Sequence, residues 1–437
     1  MSTAAAAPPS NRNAAAASAL VLSAAALAVF LVTPRASPAA LGLLALAVGA
    51  AAGFGVGARD LMRLPLPAAM LAGLGFWGLI SLGWAADQKE ALGKSALLIG
   101  FTLATVAVHT IASHAEPAVM RRIARGALFT FAAGVVYLVV EELTEHAVKR
   151  FFFLVFPFTM PAGKLVTDPD GEVNIAGYIS NRNMAAMSLA LWPMMLIAKG
   201  LAGGGWKSSA IAVLVALAFV AMAMSAHETS LIAVAAAAVV FGICSAWPKA
   251  GLGVVVAGWL AATLLVVPLA SWAASGAGLH KAAWLPNSAR HRIVLWAYTA
   301  EQVWQRPLTG VGAASTKLID ARRGAKVAPL AGTAYEWRSG PHAHNVYLQT
   351  WYELGAVGAA LLCAAGLALI GAVSRLPQRV LPHAAAAMTT ATVMGAFSWG
   401  MWQAWFLGAF MVSAVLMTIA VQVARPDALN PARGPSS

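Results

Sequence analysis

Apolar residues fall in long uninterrupted runs separated by short polar breaks. Runs close to the roughly twenty residues that cross a bilayer as a helix occur at 14–33, 38–57, 66–85, 95–113, 126–143, 184–200, 208–225, 230–247, 251–273, 352–373, 383–400 and 403–423. The pattern predicts an all-α polytopic membrane protein of about twelve transmembrane helices. A tail at 1–13 precedes helices one to nine over 14–273, a large loop spans 274–351, helices ten to twelve fill 352–423, and a tail closes the chain at 424–437. The long polar connections are 144–183 and 274–351, and no internal repeat marks duplicated halves.

Two periodic elements stand out around the larger loop. Ile293, Trp296, Ala297, Ala300, Val303 and Trp304 recur at three and four, so Ser288–Gln305 is expected to be an amphipathic helix ended by Pro307 and Gly310-Val311-Gly312. Further on, Pro341-His342-Ala343-His344-Asn345 closes a polar basic segment, and an apolar run follows at once. Asn345 is a natural N-cap, which places a helix start beside His344. Gly355 and Gly358, three apart, present small residues for close helix packing in lipid.

Composition fixes the compartment. The chain is 60% hydrophobic and 10% charged with mean hydropathy +0.74, whereas soluble domains carry roughly a quarter charged residues. In a soluble protein the net charge of +13 would suggest nucleic acid; here the orientation rule accounts for much of it. Arg59, Arg63, Arg121, Arg122, Arg125, Lys199, Lys207, Lys249, Arg375 and Arg379 fall on one set of short connections, as do Arg12, Arg425 and Arg433 in the tails. That set is expected to be cytoplasmic, with both termini, and loops 144–183 and 274–351 then face outward. No clear cleavage site follows the first apolar run, which is expected to stay as a span. Cys244 and Cys363 both lie in apolar runs, so no disulfide framework is implied.

The outer loop runs against the usual charge bias. It holds Lys281, Arg290, Arg292, Arg306, Lys317, Arg322, Arg323, Lys326 and Arg338 against Glu301, Asp320 and Glu336. Anionic lipid headgroups would account for such charge, as would an interfacial helix with snorkelling arginines; a phosphate-bearing substrate would account for it more specifically. Arg290 and Arg292, two apart, point to nearly opposite faces of a helix, so one of them serves a given site. Arg182, between Asn181 and Asn183 at a helix mouth, is either an interfacial anchor or a second phosphate ligand. A histidine at a helix N-terminus is kept neutral by the dipole and can act as a general base. His342-x-His344 would suit zinc only with a third ligand that the sequence does not supply, and no Asp-rich or Cys/His cluster suggests another metal or cofactor.

His344-Asn345, nine residues, Gly355, two residues and Gly358 resemble the signature of the bacterial O-antigen ligase family, which includes O-antigen and exopolysaccharide polymerases. Arg292-x-x-x-Trp296 followed by Pro307-Leu308-Thr309-Gly310-Val311-Gly312 is similar to that family's arginine helix and glycine turn. Trp84 with Asp87, and Ser398-Trp399 with Trp402-Gln403-Ala404-Trp405, are looser echoes.

The resemblance implies a GT-C-like glycosyltransferase of the bacterial inner membrane with its active site facing the periplasm. It implies a metal-independent, inverting transfer of glycan from undecaprenyl diphosphate to lipid A–core. The catalytic histidine would fall on His344 and the loop arginine on Arg292, with Arg182, Arg290, Arg338, Asn345 and His342 as candidate substrate-binding residues. Members commonly carry an arginine in the turn after the seventh span, where this chain has Ser225-Ala226-His227-Glu228. Either Arg182 or another loop arginine supplies that charge, or the donor or acceptor differs. A polymerase, with a lipid-linked glycan as acceptor, is the alternative. A transporter of an anionic substrate is disfavoured, since charged residues near mid-span are scarce.

Overall fold

The computed structural model describes residues 9–52, 57–61, 63–156, 165–167, 173–175, 177–201, 206–323 and 327–424. The expected tail at 424–437 therefore lies almost wholly outside the described residues, as does Lys326. Helices α1 (Pro9–Val32), α2 (Ser37–Ala52), the single turn α3 (Ala58–Leu61), α4 (Leu66–Ile80), α5 (Gln88–His114) and α6 (Pro117–Leu143) come first. A short α7 (Ala147–Val155) and the antiparallel pair β1 (Leu165–Thr167) and β2 (Val173–Ile175) precede α8 (Asn181–Leu201), α9 (Trp206–Met224) and α10 (Glu228–Ala246). Then follow α11 (Pro248–Leu264), α12 (Val266–Ser275), α13 (Asn287–Val303), α14 (Thr316–Arg322), α15 (Val346–Val373), α16 (Leu381–Phe397) and α17 (Ala404–Val423).

As far as the described residues go, each of the twelve apolar runs falls largely on one of these helices or on the pair α11 and α12, yet the expected count of twelve spans is not reached by length and apolarity. Seven described helices are long and apolar enough to cross a membrane, or eight if one bent pair counts as a single span. The helices over 17–32, 34–50 and 208–224 are apolar but shorter. The run 251–273, expected as one straight span, is the bent pair: α11 and α12 meet at 72°. Pro268 explains the break. It has no N–H for the carbonyl of Leu264, four residues back, and its ring crowds that carbonyl. The neighbouring Thr263 carbonyl accepts instead from the Trp351 indole at 2.7 Å. Two boundaries also shift. Arg121, Arg122 and Arg125 belong to the first turns of α6, and because α15 starts after Asn345, as that N-cap predicts, the last six residues of the expected loop 274–351 are already helical.

Two compact units divide the chain. One comprises residues 1–61, 107–238 and 408–437. In it α1 packs on α2 and α6, and α6 on α8 and α9. At the α1–α6 crossing a Cβ on Gly126 would come within 2.6 Å of the Leu20 carbonyl, so a small residue permits the approach. The mouth of α8 is tied down by Asn183, whose amide donates to the Leu31 carbonyl at 2.6 Å.

The other unit comprises residues 62–106 and 239–407, and α15 is its axis, packed on α4, α11, α13 and α16. Tyr347, Leu348, Tyr352 and Leu354 of α15 are buried with Leu74, Leu98, Val303 and Trp402. At Gly355 the helix breaks, with φ +63 and ψ −164. Such a backbone is open to glycine alone, and a Cβ there would also lie 2.3 Å from the Leu308 carbonyl. The backbone groups freed by the break find partners in the chain segment 307–312 and in Trp77. Val311 and Gly312 donate to the carbonyls of Tyr352 (3.0 Å) and Glu353 (2.8 Å), Ala356 donates to Pro307 (2.8 Å), and the Trp77 indole donates to Leu354 (2.9 Å). The expectation that Gly355 serves helix–helix packing is thereby corrected. It serves a break at which irregular backbone within an apolar helix stays fully hydrogen-bonded.

Candidate active site

The amphipathic helix expected over Ser288–Gln305 is α13. Ile293, Ala297, Ala300 and Val303 of its stripe are buried and Trp296 is half-buried, but Trp304 is 67% exposed, because the helix ends at Val303 and Trp304 caps it. Arg290 and Arg292 diverge as their spacing requires. Arg290 lines a cleft, while Arg292 Nη1 donates to the Phe397 carbonyl at 2.7 Å.

The histidine segment is shaped by backbone strain and by α13. Gly340 and His344 both have positive φ (+65 and +54); a non-glycine residue there is strained and is held in place by its surroundings. Between the two histidines the Ala343 carbonyl accepts from the Trp296 indole at 2.7 Å. Asn345 caps α15 as expected, its Oδ1 accepting from Leu348 N at 2.9 Å. That bond gives the buried Asn345 a structural task, where the sequence also suggested substrate contact.

The decisive contacts come from the end of α16. His344 Nδ1 lies 2.7 Å from the Ser398 carbonyl. A carbonyl only accepts, so Nδ1 carries the proton and Nε2 is left with the lone pair of a neutral base. Arg292 is bound to the carbonyl of Phe397, one residue earlier. Consecutive carbonyls at the negative end of a helix thus hold the candidate base and the candidate cation side by side. The His342 ring lies against His344, with centroids 4.1 Å apart. Gln403 Nε2 approaches His342 Nε2 at 3.4 Å, and Gln403 is oriented by the Trp405 indole, which donates to its Oε1 at 2.7 Å. Among the described residues no third His, Cys, Asp or Glu joins the two histidines in a metal-holding group.

Burial holds the His344 imidazole below its usual range. The Ser398 carbonyl opposes that shift, and the charges of Arg292 and His291 add to it. Burial, then His344, then Arg292 push His342 down to about 4. Both rings are neutral at neutral pH, as a base requires.

A carboxylate that sequence reasoning passed over braces this arrangement. Glu353, 0% exposed, accepts from the Ala314 amide (2.8 Å), the Thr316 amide (3.1 Å), the Thr316 hydroxyl, Gln349 Nε2 (3.1 Å) and the Trp402 indole. Gln349 in turn accepts from Met401 N at 3.0 Å. One side chain therefore joins α15 to the turn before α14 and to the 400–402 turn that follows Ser398.

Arg338 is engaged by Asp320 (2.8 and 2.5 Å) and Glu336 (3.0 Å), and these bonds hold it protonated above its ordinary range. That occupies the fork the sequence offered to substrate. Arg182 opens α8 in the first unit, within electrostatic reach of Arg35. In the turn before α10, His227 bonds Ser230 at 2.7 Å and Glu228 is exposed in the helix's first turn, where a carboxylate suits the dipole.

Residues 213–363 match the O-antigen ligase family. The match covers about a third of the chain and falls on the stretch whose histidine and arginine motifs resemble that family. The matched stretch contains Arg290, Arg292, His342, His344, Asn345 and Glu353, and ends before Phe397 and Ser398. Proteins named as candidate polysaccharide ligases are similar over a comparable length. That of Rickettsia conorii is 28% identical over 142 residues, 32% of this chain and 33% of its own, and that of Rickettsia prowazekii is 28% identical over 148 residues, 32% and 34% respectively. A third, from Rickettsia felis, is 26% identical over 142 residues, 32% and 33%. The chain spans about a third of the length of the curated relatives it matches.

Two expectations follow from this arrangement of side chains. Arg292→Ala is expected to remove roughly 2–3 kcal/mol of stabilisation of an anionic leaving group, about a hundredfold in rate, and Arg290→Ala distinctly less. Arg292→Lys should restore little, since a point charge lacks the bidentate fork. Equal rates for the two alanine variants in a transfer assay would contradict the divergence of the two side chains.

The second concerns pH. With its folded pKa below 6.5, His344 stays neutral as acid is added, and the native-state advantage of the neutral ring is present above pH 6.5 and lost as pH falls through the folded value. The acid limb of kcat/KM should therefore inflect below pH 6.5, and Arg292→Gln should move it upward by removing a nearby positive charge. An inflection at or above 6.5 that Arg292→Gln leaves in place would contradict the assignment.

Proposed function

We infer that the protein is a membrane glycosyltransferase of the ligase or polymerase type that moves a glycan from undecaprenyl diphosphate to a sugar hydroxyl, lipid A–core being the acceptor that best fits the family. The observation that carries this reading is the pairing of His344 and Arg292 on the adjacent carbonyls of Ser398 and Phe397. The acceptor hydroxyl gives its proton to His344 Nε2 as its oxygen bonds the anomeric carbon. The bond from that carbon to the diphosphate breaks on the opposite side, inverting the configuration. The electron pair leaves on the diphosphate, whose growing charge Arg292 stabilises. No metal ion takes part in these steps.

The test is a deletion strain whose lipopolysaccharide and exopolysaccharide are resolved on gels. Uncapped lipid A–core with intact lipid-linked polymer is the expected result. Single repeat units in place of polymer would mark a polymerase, and unchanged gels would contradict both. The reading also puts residues 274–351 on the periplasmic side. An impermeant maleimide should label Ala334→Cys in intact spheroplasts and Ser374→Cys, in the connection carrying Arg375 and Arg379, only after lysis. The opposite pattern would invert the proposed orientation.

A further inference from the structure

The outer loop contains a second basic feature that the transfer chemistry above does not use. A cleft of about 880 Å³ lies between the start of α13, the turn at 280–281 and the excursion 332–336. Lys281, Arg290 and His291 line it against Glu336. Glu336 is also bonded to Arg338 at 3.0 Å, so its charge is shared with a cation that is not among the cleft's lining residues. The Arg290 Nε is buried and has no hydrogen-bond partner within the protein, a costly state for a polar atom. Tyr335 stacks on His291 with centroids 5.5 Å apart, and its hydroxyl donates to Asn287. The lining thus combines surplus positive charge with a planar ring and neutral hydrogen-bonding groups, at a size typical of small-ligand sites.

We propose that this cleft binds the negatively charged saccharide portion of the acceptor, as a subsite separate from the diphosphate position at Arg292. The assignment to the acceptor rests on the transferase reading above. Two features support it. All the lining residues belong to the segment between α12 and α15, outside every candidate span. A diphosphate carried on a lipid must stay at the bilayer surface, whereas a sugar headgroup can reach out to such a cleft. In addition, both arginines stand on α13, on nearly opposite faces, with His291 between them in the chain. An acceptor seated at His291 is near the candidate base, since His291 is close enough to His344 to influence its charge.

The experiment measures binding without a donor lipid, so its outcome is independent of whether transfer occurs. The purified full-length protein in detergent is titrated with glucose 6-phosphate, glucose and inorganic phosphate. Saturable binding of glucose 6-phosphate is expected to weaken roughly tenfold or more in Lys281→Gln with Arg290→Gln, as lost charge-assisted contacts imply, and to change by less than about twofold in Arg292→Gln. Lys281→Gln alone, at an exposed position, guards against a folding defect and should give part of the loss. Absence of saturable binding, equal binding of inorganic phosphate, or a loss in Arg292→Gln as large as in the double variant would each overturn the subsite. In a transfer assay Arg290→Gln should raise KM for the acceptor and leave that for the donor; a rise for the donor instead would overturn the acceptor assignment.

Discussion

In a deletion strain complemented with His344→Ala, capping of lipid A–core is expected to disappear while the protein still reaches the membrane in normal amount. A general base typically contributes a factor of about 10² to 10⁴, which a gel resolves. The loss follows from the fixed tautomer: the Ser398 carbonyl claims the Nδ1 proton and leaves Nε2 as the acceptor. His344→Gln separates this from a purely structural role. Its amide N–H can bond the Ser398 carbonyl as Nδ1 does, yet an amide has no basic lone pair, so transfer should stay absent. His342→Ala should be milder, since His342 lies beside the base and meets Gln403 instead of that carbonyl. Near-normal capping by His344→Gln would reduce His344 to a brace and leave Arg292 as the main contributor.

Glu353→Leu is expected to destroy the fold of its unit. A buried donor left without a partner costs about 1–3 kcal/mol, and five donors lose theirs at once. The total rivals the whole stability of a domain, about 5–15 kcal/mol. Glu353→Gln keeps the shape but turns one oxygen into an N–H donor facing other donors, so it should fold with a clearly lowered melting temperature. Fluorescence-detected size exclusion with a thermal melt reads both. Melting of both variants within about 2 °C of wild type would show that the network contributes little.

What was legible in the sequence is what local pattern controls. The apolar runs, the N-cap at Asn345, the stripe of α13 and the divergence of Arg290 from Arg292 all depend on spacing within one element. What escaped depends on distant partners. The carbonyls that hold His344 and Arg292 belong to Ser398 and Phe397, 54 and 105 residues away, and a carbonyl is present in every residue, so it leaves no mark in a sequence. Glu353 is a single polar residue at the start of an apolar run, and apart from Gln349 in the same helix its donors come from segments near 315 and 402. Pro268 stands inside the apolar run 251–273, whose unbroken hydropathy carries no mark of the bend. Gly355 drew notice for its missing side chain, whereas its backbone angles are what the fold uses.

The central claim is that the His344–Arg292 pair transfers glycan from a polyprenyl diphosphate, and one reconstitution tests it directly. Purified protein, undecaprenyl-diphosphate-linked glycan and lipid A–core are combined, and glycosylated lipid A–core and free undecaprenyl diphosphate are quantified for wild type and for His344→Ala with Arg292→Ala. The account predicts equal amounts of the two products from wild type and neither above background from the double variant. Equal product from both proteins, or none from a wild type that is folded and supplied with both substrates, would contradict it.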